Sequence, residues 1–256
     1  MPSPMPRLAP VTIATLPESP CTCSSCSLLP ARGSCWMTKR LLTMLPVSAS
    51  TPATDARTRL ARAAVDAFAA RGFHATTTRD ISTAAGMSPA ALYVHHRSKE
   101  DLLFELAHVG HLRVLDMVRA SVARSADPVT QLGDLVEDFV RDHAVAHTGA
   151  RVINYELAAL SEEHRAEILA VRHDIDLVVR DVVDRGVAAG AFSTPDPRMT
   201  SLAVLSLGID VARWYRDEGR WTPDEVAAHY RLLALRMVGA DPAGSSASRP
   251  AGRIDP

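Results

Sequence analysis

The 256 residues of this chain predict an all-α fold, and three observations carry that prediction. Apolar residues make up 47% of the sequence, enough to bury a core, while aromatic residues make up only 5%. Strong helix formers outnumber the β-branched and aromatic runs that strands favour. From residue 57 onward, apolar side chains recur three or four positions apart, which is the period of an amphipathic helix.

Residues 1–54 predict a disordered extension, because they are rich in Pro, Ser and Thr and show no sustained period. A start at Met37 or Met44 is the alternative, in which case most of this segment is not translated. The segment holds all four cysteines: Cys21, Cys23, Cys26 and Cys35. Their spacing suits zinc, but no histidine accompanies them, so we predict no metal site there.

The first predicted helix is "RTRLARAAVDAFAARGF", which begins at Arg57 and ends at Gly72. Four apolar side chains share one face of it: Leu60, Ala64, Val65 and Phe68. Thr77 or Thr78 then caps a short second helix that Gly86 ends. The apolar side of this second helix consists of Ile81, Ala84 and Ala85.

A third short helix follows at once, with Ser88 as its N-cap, Pro89 in its first position and Leu92 pointing inward. Two short helices joined by a turn that contains glycine are typical of a helix-turn-helix. Ser98 caps a fourth, longer helix, "KEDLLFELAHVGHLRVLDMVRASVAR", which links this unit to the rest of the chain. Residues 55–115 are therefore predicted to form a three-helix DNA-binding domain.

Longer helices are predicted past Pro128, and residues 116–240 are expected to form a helical ligand-binding and dimerisation domain. The predicted segments are "PVTQLGDLVEDFVRDHAVAH", "ARVINYELAAL", "EEHRAEILAVRHDIDLVVRDVVDRGVAAG", 197–218 and 222–238. The third of them carries the apolar stripe Ile168, Val171, Ile175, Val178 and Val182. Residues 241–256 predict a disordered tail.

Charge divides the chain into two parts. Residues 57–113 hold eight basic and five acidic side chains, a net charge of +3, whereas residues 127–241 hold twelve basic and twenty acidic ones, a net charge of −8. Only the first part is suited to face a polyanion. No run approaches the roughly 18 apolar residues of a membrane helix, and no secretory signal begins the chain, so we expect a cytoplasmic protein that does not contact membrane.

Histidines raise the alternative of a metal site or an enzyme. His95 and His96 are adjacent, so on a helix they point about 100° apart and do not share one metal. His143 and His147 have the i, i+4 spacing of a metal pair, although such histidines more often line pockets or face solvent. We predict no metal ligands and no cofactor.

A Ser88, His95 and Asp101 triad is conceivable, but no nucleophile elbow or oxyanion loop accompanies it. We predict no catalytic residue. A helical metal-dependent hydrolase is the alternative from the enzyme class. A helical adaptor, whose helix-turn-helix meets a protein instead of DNA, is the alternative from the interaction class.

The segment "TTTRDISTAAGMSPAALYVHHRSKEDLL" resembles the DNA-binding signature of the TetR family of bacterial transcriptional regulators, without a gap from Arg57 to Leu103. The resemblance implies contact with a double-stranded operator through nine residues: Thr78, Arg79, Pro89, Ala90, Ala91, Tyr93, Val94, His95 and Lys99. Tyr93 and Lys99 would then reach the phosphate backbone, and Arg79 would read a base. The family has Phe where this chain has His96, so we expect looser or more polar packing there.

The second half resembles the C-terminal domain of an acyl-CoA-responsive TetR subgroup, through "NYELAALSEEHRAEILAVR", "RGVAAGAF" and "ARWYRDEGRWTPDEVAAHY". The resemblance implies that Arg213, Trp214 and Arg216 meet a phosphate or an adenine; the alternative is that they pack and pair at a helix end. The last two helices carry more apolar surface than one small domain needs: Leu202, Leu205, Ile209, Tyr230, Leu233 and Met237. A homodimer through a four-helix bundle would bury it.

The sequence thus predicts a homodimeric, ligand-responsive repressor that binds a palindromic operator and is released by a small hydrophobic or acyl-CoA-type effector. The alternative within the same family is a regulator of drug efflux that responds to a hydrophobic drug.

Overall fold

The computed structural model describes residues 52–240. This part of the chain consists of helices joined by short connections, without a strand. The all-α prediction is therefore confirmed. Its nine α-helices are α1 (Pro52–Ala75), α2 (Thr78–Ala84), α3 (Pro89–His95), α4 (Lys99–Ala123), α5 (Pro128–Val145), α6 (His147–Tyr155), α7 (Glu162–Ala188), α8 (Pro197–Trp214) and α9 (Pro223–Met237). A short 3₁₀-helix, Leu157–Ala159, joins α6 to α7. None of the described helices is long and apolar enough to cross a bilayer.

Two predicted segments lie largely or wholly beyond these residues. The four cysteines and the extension up to residue 51 are outside the described part of the chain, as is the tail from residue 241. Helix α1 begins at Pro52, five residues before the predicted start, so the last three residues of the expected extension are helical. Gly72 interrupts α1 with φ 79° and ψ 164°, which a residue with a side chain rarely adopts.

Side-chain caps begin the short helices where the sequence predicts them. The Thr77 hydroxyl accepts a hydrogen bond from the Asp80 N–H, and the Thr77 N–H donates one to the Asp80 carboxylate, forming a capping box at the start of α2. Ser88 accepts from the Ala91 N–H at the start of α3, and Ser98 caps α4 in the same way. Each cap satisfies a backbone donor that the helix itself leaves without a partner.

The first hydrophobic core lies between α1, α2, α3 and the first half of α4. The buried faces of α1 and α3 follow the predicted pattern, and Leu60 and Leu92 are fully buried. Ala84 is exposed, contrary to the prediction, whereas its neighbour Ala85 is buried. Residues from α6 and α7, among them Val152 and Ile168, complete this core.

The second core surrounds α5, which packs against α4, α7, α8 and α9. Helix α4 contributes to both cores, so the predicted domain boundary at residue 115 falls inside a continuous helix. Helix α6 ends at Tyr155, earlier than predicted. Helix α8 ends at Trp214 instead of residue 218, because Tyr215 is extended.

Candidate nucleic-acid interface and effector cavity

Helices α2 and α3 form a helix-turn-helix whose turn depends on Gly86. This glycine has φ 67°, a left-handed conformation that costs other residues free energy. The hydroxyl groups of Thr78 and Tyr93 lie 3.3 Å apart and tie the start of α2 to α3. Tyr93 is 56% and Val94 78% exposed, so α3 presents large apolar side chains to solvent.

Most of the predicted DNA contacts lie at the start of α2 or along α3. Exposed side chains are Arg79, Pro89, Ala90, Tyr93 and Val94, and half-buried ones are Thr78, Ala91 and His95. Arg79 forms no ion pair with another described residue. Its guanidinium is therefore available to an external partner.

Lys99 has a different environment from the one the sequence predicts. Its ammonium donates hydrogen bonds to the carbonyl oxygens of Phe73 (2.6 Å) and Thr76 (2.7 Å), and it lies 4.1 Å from the centroid of the Phe73 ring. Two of its three N–H groups thus hold the end of α1. The third N–H group remains for a phosphate, so contact of Lys99 with DNA stays a prediction; the two carbonyl acceptors were not foreseen from the sequence.

His96 is buried at the end of α3, where its backbone N–H donates to the Leu92 carbonyl. Its Nδ1 lies 3.3 Å from Glu105 Oε2, and Glu105 also pairs with Arg57. Its Nε2 is buried without a hydrogen-bond partner among the described residues. Burial lowers the pKa of His96, so the ring is neutral, and the packing at this position is polar.

A cavity of about 360 Å³ lies between α4, α5, α6, α7 and α8. Its apolar wall includes Val114, Phe139, Ile153, Ile175 and Leu205. The volume falls near the lower end of the roughly 300–1,000 Å³ that small-molecule sites occupy.

Polar side chains form the opposite side of this cavity. Arg113 donates two hydrogen bonds to Asp142, at 2.7 and 2.5 Å, which neutralises both charges. Arg172 Nη1 donates to Asn154 Oδ1 at 2.9 Å. Sequence reasoning missed these residues; the available signal was a charged side chain, Arg172, between the apolar positions of α7.

Two buried histidines also line the cavity. His111 Nδ1 lies 2.7 Å from the Ala107 carbonyl, and His143 Nδ1 lies 2.9 Å from the Phe139 carbonyl. These contacts assign the ring hydrogen to Nδ1 and leave Nε2 as an acceptor. Burial lowers the pKa of His111 to about 4 and also lowers the pKa of His143, so both rings are neutral near pH 7.

The i, i+4 pair His143 and His147 has separate contacts in the structure. His147 contacts the Ala144 carbonyl and packs against the ring of Tyr215, with the two centroids 5.5 Å apart.

A contact joins the start of α4, the helix that follows the helix-turn-helix, to the start of α7, a helix that lines the cavity farther along. Glu100 accepts hydrogen bonds from the Ser161 N–H and from His164 Nδ1, both at 2.9 Å. The His164 ring stacks on Phe104, with centroids 3.8 Å apart. Glu100, Asp101 and His164 are close enough to bind a metal ion, but these hydrogen bonds already account for Glu100 and His164.

The three predicted effector contacts lie outside the cavity, at the exposed end of α8. Arg213 pairs with Asp210 at 3.2 Å and lies over the ring of Tyr155. Arg216 donates to the carbonyl oxygens of Arg213 and Tyr215, which satisfies acceptors at the helix end. Trp214 is 39% exposed.

Known proteins match both halves of the chain. Residues 60–106 match the family described as bacterial regulatory proteins of the tetR family, and residues 125–238 match the tetracyclin repressor-like C-terminal domain. A bacterial regulatory protein in the tetR family from Rhodococcus RHA1 is 38% identical, with a TM-score of 0.70, over 75% of this chain and 100% of that one. The chain belongs to the TetR family.

Other TetR-family relatives have assigned roles. The HTH-type transcriptional repressor KstR2 of Rhodococcus jostii (strain RHA1) is 29% identical over 196 residues, 76% of this chain and 96% of the relative. The structure of the ketosteroid transcriptional regulator KstR2 of Mycobacterium tuberculosis is 27% identical, with a TM-score of 0.66, over 75% of this chain and 97% of that one. This TetR-family chain is a helix-turn-helix transcriptional regulator, as its sequence predicts.

Replacement of Lys99 by methionine is expected to destabilise the fold in the absence of DNA. The carbonyl groups of Phe73 and Thr76 lose a charged donor, a change of about 1–3 kcal/mol in the free energy of unfolding. Urea denaturation measures it, with Arg97→Met as the control, since Arg97 is exposed. Unchanged stability together with weaker DNA binding would instead make Lys99 a DNA contact.

Stability is expected to fall between pH 6.5 and about 4 because of His111. The pKa of this side chain is lower in the folded chain, so below its ordinary value only the unfolded chain takes up the proton. The free energy of unfolding then falls by up to about 1.4 kcal/mol for each pH unit. Urea denaturation across this pH range measures the free energy of unfolding. It should vary less with pH for His111→Leu than for the control Leu112→Gln. Equal pH dependence of the two variants would contradict the role given to His111.

Proposed function

We propose that the chain is a homodimeric, effector-responsive repressor that binds a pseudo-palindromic operator, acts without catalysis or cofactor, and resides in the cytoplasm. The observation that carries the proposal is the presence, in one chain, of an exposed α3 surface and a separate half-polar cavity joined to it by α4. Two-fold symmetry would place the two α3 helices in major grooves roughly 34–36 Å apart. The repressor role is supported by the KstR2 relatives.

In this proposal α3 enters the major groove. The exposed side chains of Ala90 and Val94 would meet thymine methyl groups, and His95 would face the duplex beside them. The hydroxyl groups of Thr78 and Tyr93 would contact phosphate. Arg79 is the proposed base reader, because its guanidinium is exposed and lacks an ion pair within residues 55–240.

Apolar side chains on the outer faces of α8 and α9 support the proposed dimer. Leu207 on α8 and Leu232 on α9 are each about 40% exposed. The three residues of α8 that the sequence predicts for this surface all line the cavity instead: Leu202, Leu205 and Ile209. The bundle would therefore form from the face of α8 that points away from the cavity.

A small hydrophobic compound, or the acyl part of a CoA thioester, is the proposed effector. The cavity does not hold a whole thioester, since its volume is about 360 Å³. The nucleotide would lie outside it, where Arg213, Trp214 and Arg216 are exposed. Tyr155 lies under Arg213 and directly follows Asn154, which lines the cavity. A thioester would pass Tyr155 between the cavity and the exposed arginines.

Effector binding would act on α3 through α4 and α7, which both line the cavity and meet at Glu100 and His164. A shift of either helix would change the spacing of the two α3 helices in the dimer. To release the operator, the effector must bind the state with the altered spacing about 10²–10⁴-fold more tightly than the DNA-binding state. An effector with equal affinity for both states does not change their populations.

Arg79→Ala is expected to weaken binding to the DNA upstream of the chain's own gene about 10-fold or more, because it removes a base contact and one positive charge. Tyr93→Phe should weaken binding less, by one phosphate contact. Fluorescence anisotropy at two salt concentrations measures both, with Arg220→Ala as the control for loss of an exposed charge far along the chain. No saturable complex at low salt, or equal effects of the two arginine variants, would contradict the proposal.

Octanoyl-CoA or a shorter thioester is expected to raise the melting temperature of the full chain, because a ligand that binds only the folded state stabilises it. Ethidium serves as the hydrophobic-drug comparison. Leu205→Trp, which fills the apolar wall of the cavity, should abolish the shift, whereas Met199→Trp, at an exposed position of α8 outside the cavity lining, should not. A larger shift with ethidium than with any thioester would favour the drug-responsive alternative.

A further inference from the structure

Two half-buried charged side chains of the cavity have no charged partner among the described residues; Arg198, which also lines the cavity without an ion pair, is exposed. Arg113 and Asp142 neutralise each other, but Arg172 and Asp176 form no ion pair, although they lie one turn apart on α7. The two face the same cavity from one helix face. An unpaired charge that is shielded from water raises the free energy of the folded state. The positions of these two charges therefore indicate which ligand groups would bind in the cavity.

Arg172 supplies hydrogen-bond donors that the protein leaves largely unused. Its Nη1 donates to Asn154 Oδ1, and the nearest further acceptor, His111 Nε2, is 3.5 Å away. A guanidinium carries five N–H groups, and most of those of Arg172 have no acceptor within the described chain. Burial lowers the pKa of Arg172, as expected for a cation without an anionic neighbour.

Asp176, in contrast, lacks a hydrogen-bond donor. Its Oδ1 is buried and has no hydrogen-bond partner among the described residues. A carboxylate only accepts hydrogen bonds, so the missing partner is a donor. His143 adds a second acceptor, its Nε2, while the apolar wall of the cavity offers neither donor nor acceptor.

We propose that the cavity binds a hydroxy acid or its thioester. The carboxylate or thioester carbonyl oxygen accepts hydrogen bonds from Arg172, the hydroxyl group donates to Asp176, and the hydrocarbon part packs against Ile153, Ile175 and Leu205. A plain hydrocarbon acyl group leaves Asp176 unsatisfied and therefore binds less well. The inference rests on the proposed function, because it names the chemistry of the effector for the same cavity.

The test compares ligands that differ by one hydroxyl group. The full chain is titrated with octanoate, 3-hydroxyoctanoate and the CoA thioesters of both, and the rise in melting temperature gives the apparent dissociation constants. We expect each hydroxylated compound to bind about 10-fold more tightly than its parent, the effect of one hydrogen bond to a charged group. Comparison of acids with thioesters shows which form carries the oxygen that Arg172 binds.

Variants assign the preference to its residues. Asp176→Leu should remove the difference between octanoate and 3-hydroxyoctanoate, and Arg172→Met should weaken both about 10-fold. Arg180→Met and Asp184→Leu are the matched controls, because Arg180 and Asp184 form an i, i+4 pair farther along α7, away from the cavity lining. Where Arg172→Met fails to fold, Arg172→Lys keeps the charge, loses the planar fork and should still weaken binding of the acid.

Operator binding distinguishes failure of the hydroxy-acid inference from failure of the repressor proposal. A wild-type chain that binds its operator but takes octanoate and 3-hydroxyoctanoate equally well, with Asp176→Leu unchanged, overturns the hydroxy-acid inference and leaves the repressor proposal standing. A chain that binds the hydroxylated ligands through Arg172 and Asp176 but forms no complex with DNA overturns the repressor proposal and leaves the ligand chemistry standing.

Discussion

Helix α4 belongs to two hydrophobic cores, and the rest of the structure depends on this sharing. Its first half packs Leu102 and Leu103 under the helix-turn-helix, and its second half packs Val114 and Val118 against α5 and α7. Between these halves lies His111, in the wall of the cavity. Because packed interiors resist local deformation, a displacement of α4 at the cavity is felt in the core beneath α3.

Polar contacts also hold α4 against its neighbours. Arg113 pairs with Asp142 on α5, and Glu100 receives hydrogen bonds from the start of α7. Removing one partner of such a contact leaves the other without compensation, which costs more than the contact itself contributes. Arg172 and Asp176 of the cavity lie on α7 as well, so a ligand that satisfies them acts on the helix that holds α4.

The sequence was sufficient for features with local causes. The caps at Ser88 and Ser98 and the burial of Leu92 follow from residue type and helical period, and the structure confirms them. The direction of the Lys99 ammonium did not follow, because its acceptors lie more than 20 residues away in the chain. The cavity was missed for the same reason: Arg172 becomes informative only when α4, α6 and α7 are brought together.

The separation of the two α3 helices in the proposed dimer tests the central claim, that the cavity controls this spacing through α4. Pulsed dipolar spectroscopy measures it with spin labels at Thr83→Cys, an exposed position on α2, after the four native cysteines are replaced by serine. One narrow distance distribution is expected with operator DNA, and a shifted or broader one when 3-hydroxyoctanoyl-CoA is added. An absent intermolecular distance, or the same distribution with the ligand bound, would contradict it.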